Sequence, residues 1–169
     1  MSNPSQPGNT GQVFAPPTAL RDRLGPRFGK INLDAIAKAE AALKGLSSQF
    51  GQWLQDEINK LEAARQAIRT EGLSQATVDK LYGHAHDLKG LGTTYEYPIV
   101  TRIAASLCKL LGEGETRARA PMPLVNAHVD AIHAAVRDQV KDSDNPVGAA
   151  LVGELERHTN DYLTAVRGS

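Results

Sequence analysis

From Ile31 onward, apolar residues recur at spacings of three and four, and no segment alternates apolar and polar residues for long enough to make a strand. That periodicity confines the chain to amphipathic helices, each needing a partner for one face. Leu33, Ile36, Ala39 and Leu43 form a first such stretch; Phe50, Trp53, Leu54, Ile58, Leu61, Ala64 and Ile68 form a second. Gly45, Ser47 and Ser48 either separate two helices here or sit within one long bent helix. Gly72 suits a C-terminal cap, and Ser74 suits the N-cap of the next helix, expected to end near Thr93-Thr94. Pro98 opens a helix running through Val100, Ile103, Ala104, Leu107 and Leu111 to Gly112. Gly114 to Ala120 reads as a polar connection, and Leu124, Val125, Val129, Ile132, Val136 and Val140 mark a further helix. Asn145 caps and Pro146 opens the last helix, which uses Leu151, Leu155, Tyr162 and Val166. Helices of this length with short loops pack as an antiparallel bundle. The expected fold is all-α: an antiparallel four-helix bundle with an additional N-terminal helix or helices.

With 41% hydrophobic residues in 169, the chain has enough apolar material for a core, placed here at residues 31–169. Residues 1–30 hold five of the nine prolines and are expected to form a flexible N-terminal tail, with Phe14, Leu20, Leu24 and Phe28 as its apolar groups. Lysine plus arginine equals aspartate plus glutamate at 19 each, which argues against nucleic acid as a partner. A single cysteine, Cys108, rules out an internal disulfide and fits a reducing compartment. No apolar run is long enough to span a bilayer, and the first residues lack the pattern of a secretory signal. The expectation is a cytoplasmic monomer with no membrane partner.

Against this helical pattern, the segment from Leu81 to Gly92 stands out because it carries Gly83, Gly90 and Gly92. Each glycine in a helix interior costs about 1 kcal/mol relative to alanine. At about 100° per residue, Val78, Leu81, Ala85, Leu88 and Gly92 fall on one apolar stripe. His86 falls outside it, toward solvent, with Gly83 and Gly90 on its own face and Lys89 one turn away. Glycines placed for packing belong on the core stripe, as Gly92 does. Gly83 and Gly90 instead leave the imidazole sterically bare, open to another macromolecule.

Other chemistries find no support. The chain has no phosphate-cradling Gly-x-x-x-x-Gly-Lys-Ser/Thr loop, and Gly90-Leu91-Gly92 does not follow a strand. There is no Cys-x-x-Cys or His-Glu-x-x-His. His84 and His86 lie about 200° apart on a helix and cannot share a metal, so no metal site is expected. Cys108 has no evident local base and reads as a buried thiol. His128, His133 and His158 read as surface or boundary residues.

His86-Asp87-Leu88-Lys89-Gly90 resembles the His-x-x-Lys-Gly signature of histidine-containing phosphotransfer domains. The likeness extends from about Ser74 to Leu111, where Pro98, Val100, Ile103, Ala104 and Leu107 fall at the family's helix start and core positions. Beyond it, the other helices agree only in being amphipathic. The chain departs from the family at Thr93, where a small residue is usual, and at Glu96, where glycine is usual. A polar residue on the next helix often holds the family's imidazole; Cys108 occupies that position here, leaving the task to Thr101 or a water.

The resemblance implies a phosphorelay intermediate between a hybrid histidine kinase and a response regulator. His86 would accept a phosphoryl group from an aspartyl phosphate on a receiver domain, and Lys89 would offset the charge on its oxygens. Gly90 would clear access. Tyr82, Gly83, Asp87 and Thr93 would dock the receiver, joined by Thr101, Ala105, Cys108 and Lys109 of the adjacent helix. Imidazole suits such a carrier because its ordinary pKa of about 6.5 leaves it largely neutral and nucleophilic in the cytoplasm. No cofactor is implied, the metal ion belonging to the receiver, and the chain would be a stoichiometric carrier rather than an enzyme. The rival reading is a helical adaptor that binds receivers or partner helices without accepting phosphate. An enzyme using His86 as general base would need a second catalytic group, and none is evident nearby.

Overall fold

The computed structural model of the chain describes residues 32–168, so the expected tail at 1–30 lies outside the described residues. Six helices follow one another: α1 (Leu33–Glu71), α2 (Gln75–Leu91), α3 (Pro98–Leu110), α4 (Glu115–Ala118), α5 (Met122–Arg137) and α6 (Pro146–Arg167). No strand occurs among the described residues, and the helices pack as a bundle. The chain divides into two compact units, residues 1–42 and 43–169. In the first, the described residues are Asn32 and the opening turns of α1, where Lys38 pairs with Asp34 at 3.3 Å.

Within the second unit, the helix boundaries have local causes. Gly72 ends α1 in the left-handed region at φ 91°, donating its N–H to the Ile68 carbonyl at 3.0 Å. Ser74 then caps α2 reciprocally with Thr77: the Thr77 N–H donates to Ser74 Oγ at 3.2 Å, and the Ser74 N–H to Thr77 Oγ1 at 3.0 Å. Asn145 Oδ1 accepts from the Val147 and Gly148 N–H groups at the start of α6, beside Pro146.

Cross-helix pairs fix the directions. Asp79 near the start of α2 pairs with Arg117 beyond the end of α3, while Thr93 after α2 meets Thr101 near the start of α3, so α2 and α3 are antiparallel. Arg65 of α1 reaches Asp130 of α5 at 2.5 Å, and Glu62, earlier in α1, faces His133, later in α5; these two are also antiparallel. Arg102 meets Glu156 at 3.0 Å and Ser106 meets Thr159 at 3.1 Å, so α3 and α6 run the same way. Helix α3 packs against α2, α5 and α6. Its Ile99, Val100, Ile103, Ala104, Leu107 and Leu110 are fully buried, joined by Leu54, Ile58 and Leu61 of α1 and Val125, Val129 and Ile132 of α5. Removing such side chains from water supplies most of the stability of a bundle.

Several expectations need adjustment. Of the two readings of Gly45, Ser47 and Ser48, the single long helix holds and the break does not: α1 is continuous through them. The stripe Leu33, Ile36, Ala39 and Leu43 is exposed throughout. Helix α2 stops at Leu91, two residues before the expected end, and Val140 lies beyond the end of α5. The connection from Gly114 to Ala120 contains the single turn α4.

Candidate functional site

Helix α2 buries Val78, Leu81, Ala85 and Leu88 and presents His86 to solvent. The glycines divide as the helical wheel requires. A β-carbon at Gly83 or Gly90 would meet nothing within 4 Å. One at Gly92 would lie 2.6 Å from Thr101 Oγ1, 2.7 Å from the Thr101 nitrogen and 3.0 Å from the Tyr97 carbonyl oxygen. Gly92 therefore lets the end of α2 lie against the start of α3, whereas Gly83 and Gly90 serve no packing purpose. They leave the flanks of the His86 ring open along one face of the helix.

Among the described residues His86 has no hydrogen-bond or ion-pair partner. Its one ring contact is with Tyr82, one turn earlier, at 6.2 Å between centroids and a tilt of 32°. Tyr82 is held from its other side. The Arg117 guanidinium sits 5.0 Å from the Tyr82 ring centroid, donates Nε–H to the carbonyls of Leu111 and Gly112, and pairs with Asp79. Arg117 thus locks the α4 turn onto α2 and braces the ring beside His86. No sequence signal pointed to it, because a lone arginine in a polar connection is unremarkable until the fold places it.

Lys89, Gly90, Asp87 and Thr93 are exposed, and Tyr82 and Gly83 are half-buried. On α3, Lys109 is exposed and Thr101 and Ala105 are half-buried. Cys108 differs: it is 8% exposed, and burial pushes its thiol up to about 11 against the opposing pull of the Lys89 ammonium. It is a neutral packing residue and drops out of the expected contact surface. Thr101 does not hold the imidazole either. Its hydroxyl oxygen accepts the Thr93 N–H at 2.9 Å and lies 3.1 Å from the Thr93 hydroxyl, which closes the α2–α3 turn. The same turn contains Glu96 with φ 66°, in the left-handed region that favours glycine.

The remaining histidines separate by environment. His128, expected near the surface, is fully buried between α3, α5 and α6. Its Nδ1 is 2.8 Å from the Leu124 carbonyl, which can only accept, so that nitrogen carries the proton. Nε2, then an acceptor, faces the mutually bonded hydroxyls of Ser106 at 2.9 Å and Thr159 at 3.4 Å, one of which donates to it. Burial lowers the His128 pKa, with the Leu124 bond opposing. His128 is buried because it lies on the stripe of Val125, Val129 and Ile132, and buried hydroxyls on α3 and α6 satisfy its ring. His133 is half-buried beside Glu62, and His158 is exposed beside Glu154.

No described helix is long and apolar enough to cross a membrane. Comparison with protein-family models, curated proteins and solved structures finds no match for this chain.

Proposed function

We propose that the chain is a histidine phosphotransfer protein, accepting a phosphoryl group on His86 from a receiver-domain aspartyl phosphate and passing it to a response regulator. The observation that carries this reading is an exposed imidazole on a well-formed helix, with open space where Gly83 and Gly90 lack side chains. Such a ring is reachable by a second folded domain, whose active-site loops need close backbone approach. A neutral imidazole nitrogen attacks phosphorus; the N–P bond forms as the acyl-phosphate P–O bond breaks, and the aspartate carboxylate leaves. The ring's other nitrogen gives up its proton, and the reverse sequence hands the phosphoryl group onward. Lys89, exposed one turn from His86, offsets the charge on the phosphoryl oxygens. Tyr82, Asp87, Thr93, Ala105 and Lys109 offer the surrounding contact surface. The hybrid histidine kinase and the response regulator are the partners this reading requires.

The test is incubation with a phosphorylated receiver domain. Wild-type protein should acquire an acid-labile, base-stable label, and His86→Gln should acquire none. An unlabelled wild type would overturn the proposal. It would leave the adaptor reading, which the exposed apolar side chains of Leu43, Leu46 and Trp53 on α1 favour.

A further inference from the structure

On the flank of α2 turned away from His86, a second set of side chains converges. His84 is half-buried, and its Nδ1 is sealed from solvent without a hydrogen-bond partner. Buried polar atoms are rarely left so, because an unmet hydrogen bond costs about 1–3 kcal/mol. Asp87 lies three residues further along the same helix, and Glu57 approaches from α1. One ligating atom from each of Glu57, His84 and Asp87 lies within 4.8 Å of the other two.

We propose that Glu57, His84 and Asp87 bind a divalent first-row transition-metal ion, with Zn²⁺ as its representative, bridging α1 and α2. One imidazole and two carboxylates form a donor set suited to such ions, and three protein ligands leave room for water to complete the shell. The donors, within 4.8 Å of one another, need to draw together to reach bonds of about 2.0–2.2 Å. The helical wheel excluded only a site shared by His84 and His86; the additional ligand comes from another helix, where no spacing rule reaches.

The cluster already holds a cation. Lys60 Nζ donates to Glu57 at 2.6 Å and so occupies one of the three ligands. The Lys60 side chain is 54% exposed on a flexible stem, so a divalent ion can displace it into solvent. Lys60 is the built-in competitor of the metal, and its removal should act opposite to removal of a ligand. The site uses none of His86, Lys89 or Gly90; it shares only Asp87 with the proposed receiver contact surface, and zinc binding is measured with no receiver present.

Full-length protein stripped with a chelator and titrated calorimetrically with Zn²⁺ provides the test. The wild type should take up one equivalent and melt at a higher temperature when loaded. His84→Ala should weaken binding at least about 10-fold, on the scale of damage to a metal's ligand sphere. Glu57→Gln should weaken it as well, His86→Gln should bind like the wild type, and Lys60→Ala should bind more tightly. The proposal is overturned by an absence of saturable binding, by wild-type affinity in His84→Ala, by loss of binding in His86→Gln, or by weaker binding in Lys60→Ala.

Discussion

Two histidines of this chain occupy opposite environments. His86 stands exposed on α2, without a hydrogen bond among the described residues, between glycines that leave open space. His128 is fully buried, with Nδ1 bonded to the Leu124 carbonyl and Nε2 to the hydroxyls of Ser106 and Thr159. The same side chain is left available in one place and wholly occupied in the other. Every lone pair and proton of the His128 ring is already engaged, so it specifies how α3, α5 and α6 meet. Reactivity depends on what a side chain has left to offer, and only the exposed ring has anything left.

The comparison is broken most severely at the buried ring. His128→Ala removes the ring from the hydroxyl pair and opens a cavity, so urea denaturation should show a loss of about 2–4 kcal/mol. Phosphoryl acceptance on His86 should survive below the lowered melting temperature. Loss of acceptance in a folded variant would mean that the buried ring and the exposed one are coupled.

The glycines offer a smaller, two-sided test. Gly92→Ala forces a β-carbon against the Thr101 backbone and should destabilise the protein by about 1–3 kcal/mol. Gly83→Ala enters open space in a helix interior and should stabilise it by about 0.5–1 kcal/mol. Equal effects of the same sign would erase the distinction between packed and open glycines.

Acidification sharpens the contrast further. Burial holds the His128 pKa below its ordinary 6.5, so the unfolded chain binds a proton more readily than the folded one. The His128 contribution to stability is therefore complete above pH 6.5 and declines as pH falls from there toward the folded-state pKa. Thermal melts between pH 7.5 and 5 should show that decline, and His128→Ala should flatten this part of it.

The smallest effect is expected at Glu96. Glycine there relieves a left-handed backbone at the cost of chain entropy and of weak contacts to Lys141 and Ser47 at 3.5 and 3.4 Å. Glu96→Gly should change stability by only a few tenths of a kcal/mol, toward greater stability. A large loss by urea denaturation would mean that the side-chain contacts outweigh the backbone.

The α2 helix was legible because local periodicity alone decides which of its residues face the core. Val78, Leu81, Ala85, Leu88 and Gly92 fall inside, and His86 outside, without reference to any other helix. His128 was legible in principle, since Val125, Val129 and Ile132 define the stripe it shares, but its satisfaction by Ser106 and Thr159 was not. Those hydroxyls lie on other helices, at separations that no spacing rule connects. Arg117 and the Glu57–His84–Asp87 cluster escaped for the same reason. The first stretch of α1 teaches the converse: Leu33, Ile36 and Leu43 repeat like a core face, yet they are exposed. Periodicity identifies a face but not what covers it.

The most direct measurement is peptide-level mapping of phosphohistidine by mass spectrometry, after incubation with a phosphorylated receiver under alkaline, acid-free handling. The phosphoryl group should be found on His86 alone, with His84, His128, His133 and His158 unmodified. Phosphate on any of those four, or on no histidine, would contradict the assignment of function to the open face of α2.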